Sequence, residues 1–223
     1  LKQAQPDLVH AGPLHEAGHV AAQSGFRPLV LMSWGSDILW SARRNIFVRR
    51  RVRAALRRAD VVVGDCASVR QAINVEGIED ERIITFPWGV DLERFKPGKD
   101  AGLRGKLGWQ DKFVLLHLRS MEALYDPLTI ARAFVYAAAK DRKLRLLMLG
   151  GGSLQNKVKS IFADAGVADR VHMPGTVSQE GLPAYYHAAD LYLSASLSDG
   201  SSVSLMEALA CGLPAAVSDI PGN

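Results

Sequence analysis

Two acids, Asp199 and Glu207, stand eight residues apart in the segment Ser196–Pro214. The segment reads as the end of a strand, a loop of small residues, and a helix. At about 3.6 residues per turn the spacing is roughly two helical turns. One acid therefore meets a ligand from the loop and the other from inside the helix. Between them lie Gly200, Ser201, Ser202 and Val203. Their N–H groups fall at the helix N-terminus, where backbone donors lack intrahelical partners and attract anions. Hydroxyls at the carboxylates and phosphate at the amides are together the chemistry of a sugar nucleotide.

Glu207 is set among Leu205, Met206, Ala208, Leu209 and Ala210. An unpaired carboxylate is costly in such surroundings, which separates it from a solvated helix acid. The segment resembles the closing motif of the family 4 retaining glycosyltransferases: an acid, a small loop, seven residues between the acids, Glu-Ala-x-Ala-x-Gly-x-Pro, then a strand. Asp199 stands here where most members carry Glu. The resemblance implies that Asp199 holds donor-sugar hydroxyls, that Glu207 holds the ribose, and that no metal or other cofactor takes part beyond the nucleotide-diphosphate sugar itself. The chain has no Asp-x-Asp and no evident nucleophile.

Arg119 follows the apolar run Phe113–Leu118 and opens a loop, where a guanidinium forks onto phosphate oxygens. The family places there the arginine that neutralises the donor diphosphate; a helping lysine six residues on is Tyr125 in this chain. Gly150-Gly151-Gly152 follows the run Leu144–Leu149 and lets backbone approach a ligand. The resemblance sets Gly150 and Gly151 beside the nucleotide, and Gly175 and Val177 of Val171–Val177 against the base. On the acceptor side it points to His10, Gly12 and Asp37: Gly12 occupies the place of a family histidine, with His10 two residues earlier. Trp34-Gly35-Ser36-Asp37 is similar to the family's His-Gly-x-Asp. His15-Glu16-Ala17-Gly18-His19 matches the zinc-protease pattern literally. The helix that would carry it is short and holds a glycine, and the rest of the chain reads as another fold, so no metal site is assigned.

These residues need strands that end together. Apolar runs alternate with helical stretches along the chain, the pattern of parallel sheets covered by helices. The alternation lapses between Pro87 and Asp111, which reads as a linker, and Gly89-Val90-Asp91 with Phe95 and Pro97 resembles the segment joining the family's two domains. The fold expected is α/β, of the GT-B kind: two Rossmann-like domains with parallel sheets facing across a cleft. Residues 1–98 would form a partial acceptor-side domain and 99–223 the domain that binds the sugar nucleotide. The start without Met, in a helix-like Leu1-Lys2-Gln3-Ala4, and the stop at Asn223 are read as an interior fragment, inactive alone.

Hydrophobic residues make up 48% of the 223 and charged ones 22%, which fits a globular chain and excludes a disordered one. Cys66 and Cys211 are too far apart in sequence for a metal pair and read as reduced core thiols, consistent with a cytoplasmic setting. The net charge is +4, yet eight arginines fall between Arg43 and Arg58. They lie opposite Val48, Val52, Ala55, Leu56 and Ala59 on one predicted helix, Ile38–Arg58. That face is either solvated or docks on an anionic membrane or acceptor. Nucleic acid is not expected as a partner, because a single aromatic, Phe47, falls among the arginines. The function expected is glycosyl transfer from a nucleotide sugar to a carbohydrate, lipid or small-molecule acceptor with retention of configuration. A sugar-nucleotide epimerase of the same architecture and a non-catalytic sugar-nucleotide-binding module are the alternatives.

Overall fold

The computed structural model describes residues 3–100 and 102–223. The first half of the helix-like start, Leu1 and Lys2, lies outside the described residues, and Gln3 and Ala4 form a turn. The chain divides into two compact units: residues 1–88 with 198–201 and 220–223, and residues 89–197 with 202–219.

In the first unit, β1 (Val9–Ala11), β2 (Leu29–Met32), β3 (Val61–Gly64) and β4 (Ile83–Thr85) pair in sequence order, all parallel. The helices between them are α1 (Ala17–Gln23), the single turn α2 (Ala42–Arg44), α3 (Ile46–Arg58) and α4 (Ala67–Val75). The helix expected over Ile38–Arg58 is broken at Asn45. That residue is extended, and its side-chain oxygen accepts hydrogen bonds from Phe47 N–H (2.9 Å) and Val48 N–H (3.3 Å), capping α3. Val52, Ala55, Leu56 and Ala59 are fully buried against the sheet. His15 precedes α1, so the His15–His19 pair does not share a helix face.

The second unit opens at Gly89, so it takes in most of the expected linker. Phe95 packs edge-on against Tyr186 at 5.8 Å, and Trp109 is buried; large aromatics are placed in a core because their area leaves water there. A short helix, α5 (Leu103–Leu107), lies in the same stretch. The sheet consists of β5 (Phe113–Leu118), β6 (Leu144–Leu149), β7 (Val171–Gly175), β8 (Leu191–Ser194) and β9 (Ala215–Val217). All pairs are parallel, in the order β7-β6-β5-β8-β9. The chain starts at the middle strand, winds outward one way to β7, then returns to β8. The reversal between β5 and β8 opens a crevice at the strands' carboxyl ends, where open α/β sheets bind ligands. The helices are α6 (Pro127–Ala138), α7 (Gln155–Asp164), α8 (Leu182–Ala188) and α9 (Val203–Ala210).

Side chains alternate across β5. Val114 and Leu116 join the cluster holding Tyr186, Tyr192 and Ala208, and Leu115 joins the one holding Phe134 and Phe162. His117 is on this strand and fully buried. Its Nδ1 carries the proton it gives to the Leu193 carbonyl (3.1 Å). Burial lowers its pKa to about 4, outweighing the Leu193 bond, and the charge of Arg119 pushes the same way. The unfolded chain therefore protonates first, and stability is lost as pH falls from about 6.5 towards 4. Urea unfolding at pH 7 and pH 5 should show a smaller loss for His117→Leu than for the parent.

Candidate functional site

A cavity of about 350 Å³ lies at the carboxyl ends of β5, β6 and β7, beside the start of α9. Arg119, Gly150, Val177, Val203 and Glu207 of the expected site line it, with Tyr125, Thr176, Gln179 and Ser204. Gly151, Gly175 and Ser202 stand next to lining residues. Asp199, Gly200 and Ser201 are grouped with the first unit, as are His10, Gly12 and Asp37.

Arg119 occupies this position because β5 ends there. Its guanidinium lies over the Tyr125 ring, 4.2 Å from the centroid, and Nη1 donates to the Ser202 and Ser204 hydroxyls at 3.3 and 3.2 Å. A cation–π contact is worth about 0.5–2 kcal/mol, depending on exposure. Tyr125 thus aims the arginine at the start of α9 without adding a second charge. Ser204 is itself fixed by Tyr192, hydroxyl to hydroxyl at 2.7 Å.

The glycine loop is positioned by backbone contact with the loop after Arg119. Met121 N–H donates to the Gly151 carbonyl and Gly150 N–H to the Gly175 carbonyl, each at 2.8 Å. Gly150 has φ +96°, and a Cβ there would sit 2.8 Å from the Arg119 carbonyl oxygen. Both facts demand glycine.

Glu207 is only 4% exposed. Its Oε2 accepts a hydrogen bond from the Tyr186 hydroxyl at 2.8 Å. Burial raises its pKa; the Tyr186 bond and the charge of Arg94 oppose this less strongly. The Tyr186 hydroxyl also sits 3.1 Å from the Ser204 carbonyl. Tyr186 and Ser204 were not legible as site residues. Tyr186 looks like an apolar helix position, and its partner lies 21 residues away. Ser204 gave one signal, a hydroxyl in the first turn of the helix.

In the first unit, Asp37 is 1% exposed and both its oxygens are taken. Oδ2 accepts from Leu14 N–H (2.8 Å), and Oδ1 from the Ser33 hydroxyl (2.6 Å) and Ile38 N–H (2.9 Å). Its geometry is that of a tie between loops. Gly12 touches β2: a Cβ there would meet the Met32 carbonyl oxygen and, at 3.1 Å, the Trp34 indole nitrogen. His10 is exposed on β1. The loop 198–201 is held by Asp65, whose Oδ2 accepts from Ser201 N–H (2.7 Å) and whose carbonyl accepts from the Ser201 hydroxyl (2.8 Å). Asp199 caps its own turn through Gly200 N–H at 3.0 Å.

Two family models match the chain: "Glycosyl transferases group 1" over residues 101–223 and "Glycosyl transferase 4-like" over residues 1–65. A D-inositol 3-phosphate glycosyltransferase of Nocardia farcinica is 31% identical over 173 residues, covering 74% of this chain and 38% of the relative. A GDP-mannose-dependent phosphatidylinositol monomannoside mannosyltransferase of Mycolicibacterium smegmatis is 27% identical over 217 residues, 92% of this chain and 55% of its own length. The chain thus spans about half, or less, of these two relatives. Among solved structures, Anabaena HepE in complex with UDP and glucose superposes with a TM-score of 0.84 at 22% identity, over 99% of this chain and 61% of that one. Sucrose-phosphate synthase from Thermosynechococcus elongatus gives 0.80 at 21% identity, over 99% and 58%. The fold, two parallel α/β sheets, is the one these glycosyltransferases share.

The raised pKa of Glu207 has a measurable result. A folded-state pKa above the unfolded one means that stability falls as pH rises from the usual carboxylate range through the raised value. Glu207→Gln should remove part of that fall in urea unfolding.

Proposed function

Because the chain belongs to the group 1 glycosyl transferases, we propose that it forms the core of an enzyme moving a sugar from a nucleotide diphosphate to an acceptor hydroxyl with retention of configuration. The observation that carries this reading is the pairing, in one cavity, of an oriented arginine beside a helix start with a buried carboxylate. Arg119 and the first amides of α9, at Ser202 and Val203, take the diphosphate. Glu207 takes the ribose hydroxyls, donors that satisfy a carboxylate already out of water. Gly150 and Gly151 border the nucleotide, and Gly175 and Val177 present backbone to the base. Asp199, with Gly200 and Ser201, meets the donor sugar. His10 and Gly12 belong to the acceptor side, and Asp37 supports it by tying its loops together.

The step itself breaks the bond from the anomeric carbon to the phosphate oxygen and forms one to the acceptor oxygen on the same face. The acceptor proton passes to the departing phosphate. Charge grows on the diphosphate as it leaves, so preorganised donors there lower the barrier. Arg119→Ala in the whole protein should therefore reduce kcat more than it raises KM for the donor. An unchanged kcat would take Arg119 out of the mechanism. NMR of the product anomer tests retention: an inverted product overturns it. Isomerised donor sugar in the absence of acceptor would favour an epimerase.

We further propose a peripheral contact with anionic membrane, consistent with glycolipid synthesis. Ile46 and Phe47, 56% and 69% exposed, begin α3 beside exposed Arg43, Arg44, Arg50 and Arg51. Arg49 and Arg53 do not belong to this patch: both clasp Glu76, at 2.7 and 2.8 Å, and hold α3 to the end of α4. No helix among the described residues is long and apolar enough to cross a membrane. Exposed apolar side chains framed by cations suit an interface, where each basic residue contributes about 1 kcal/mol that salt screens. Vesicle sedimentation should show binding to phosphatidylglycerol but not phosphatidylcholine, weakened by high salt, by Arg50→Gln with Arg51→Gln, and by Phe47→Ala. Equal binding to both lipids, or to neither, would leave the patch as solvated surface.

A further inference from the structure

Residues 198–201 belong to the first unit, and the ends of two of its strands grip them. Asp65 follows β3 and precedes Cys66, which starts α4, so a strand and a helix fix its place. Ser201 is held to it twice, by N–H to Oδ2 at 2.7 Å and by hydroxyl to the main-chain carbonyl at 2.8 Å. The other carboxylate oxygen, Oδ1, is buried without a hydrogen-bond partner and packs against Gly200, where a Cβ would overlap both oxygens. An acceptor in that state adds nothing to folding. The use of this carboxylate lies in its bond to Ser201 and in the seat it gives Gly200. The second grip is the turn after β2. Gly35 has φ +79°, and a Cβ there would lie 2.6 Å from the Gly200 nitrogen, so only glycine lets the two backbones meet. That turn is itself tied down. Gly35 N–H donates to the Ser33 hydroxyl (3.2 Å), which donates to Asp37 (2.6 Å), and the Gly35 carbonyl accepts from Leu39 N–H (2.9 Å). Gly200, touched by both grips, donates its N–H to Asp199 Oδ1 at 3.0 Å.

Resting on the glycosyltransferase reading above, we propose that Asp65 is a positioning residue for sugar transfer: through Ser201 and Gly200 it aims the Asp199 carboxylate at the hydroxyls of the donor sugar. Asp65 itself touches no ligand. Asp199 lies outside any helix or strand, so its orientation depends on what holds its loop. Gly200 N–H holds one of its oxygens, and Asp65 and Gly35 hold Gly200. A shift of about 1 Å in a group that orients a reacting sugar costs up to about a hundredfold in rate. The nucleotide has other partners in this reading, Arg119 and Glu207. Loss of the Asp65 clasp therefore slows turnover and leaves nucleotide affinity as it was.

The test measures nucleotide release from UDP-glucose and GDP-mannose into water by the whole protein, with UDP and GDP affinity taken from calorimetry. Asp65→Ala should lower kcat by about tenfold or more and leave nucleotide affinity at the parent's value. Asp65→Asn keeps an acceptor for Ser201 N–H and should recover part of the loss; it also serves should the alanine variant fold poorly. Asp199→Ala sets the scale. Because Asp65 acts through Asp199, the double variant should be no slower than Asp199→Ala alone, whereas independent effects would multiply. An unchanged kcat in folded Asp65→Ala, a fall in nucleotide affinity that matches the fall in turnover, or effects that multiply would each overturn the inference and leave the transferase reading standing. Turnover by Asp199→Ala as fast as the parent's would remove the donor-sugar role and this inference with it. If neither donor is bound or turned over by the parent, the transferase reading falls and takes this inference with it.

Discussion

The hydrogen bond from Tyr186 to Glu207 is the interaction around which the second unit is arranged. A carboxylate inside an apolar helix face is tolerated only when its oxygens find donors. Tyr186 supplies one donor from α8, and Phe95, drawn in from the stretch after Gly89, packs against that tyrosine. The helix that closes the cavity is therefore tied to the helix across the core and to the segment that begins the unit. The carboxylate keeps capacity for further donors, and it is turned towards a cavity.

Charge is divided along that cavity. Arg119 lies over Tyr125 and against the hydroxyls at the start of α9, while Glu207 lies further along the same helix. A ligand that satisfies both ends carries anion at one and hydroxyls at the other. The separation follows from topology. Parallel strands deliver their carboxyl ends to one edge, and the reversal between β5 and β8 leaves room there for the ligand. The glycines at 150 and 151 allow the neighbouring loops to close to backbone contact without filling that room.

Buried carboxylates are used differently in the first unit. Asp37 spends both oxygens on its own loops and serves as scaffold. Asp65 spends one on the loop that bears Asp199, and its other oxygen is packed against Gly200. The two residues have the same chemistry and nearly the same burial, and each ties loops together through backbone N–H donors.

Much of this was legible in the sequence because it rests on local pattern. The runs Phe113–Leu118 and Leu144–Leu149 are strands with the bounds their apolar residues suggest. Strand ends followed by Arg119 and by three glycines marked the ligand edge, since parallel strands place such residues together. Contacts between distant residues were not legible. Nothing local says that Tyr186 meets Glu207, that Tyr125 offers its ring to Arg119, or that Glu76 collects Arg49 and Arg53 from what reads as one continuous arginine face. Nor does local pattern show that Asn45 ends one helix and caps the next. Sequence alone determined periodicity, composition and the motif, which are properties of neighbours along the chain. Tertiary structure decided which polar groups find partners, because a buried charge is satisfied or left open by whatever the fold carries to it.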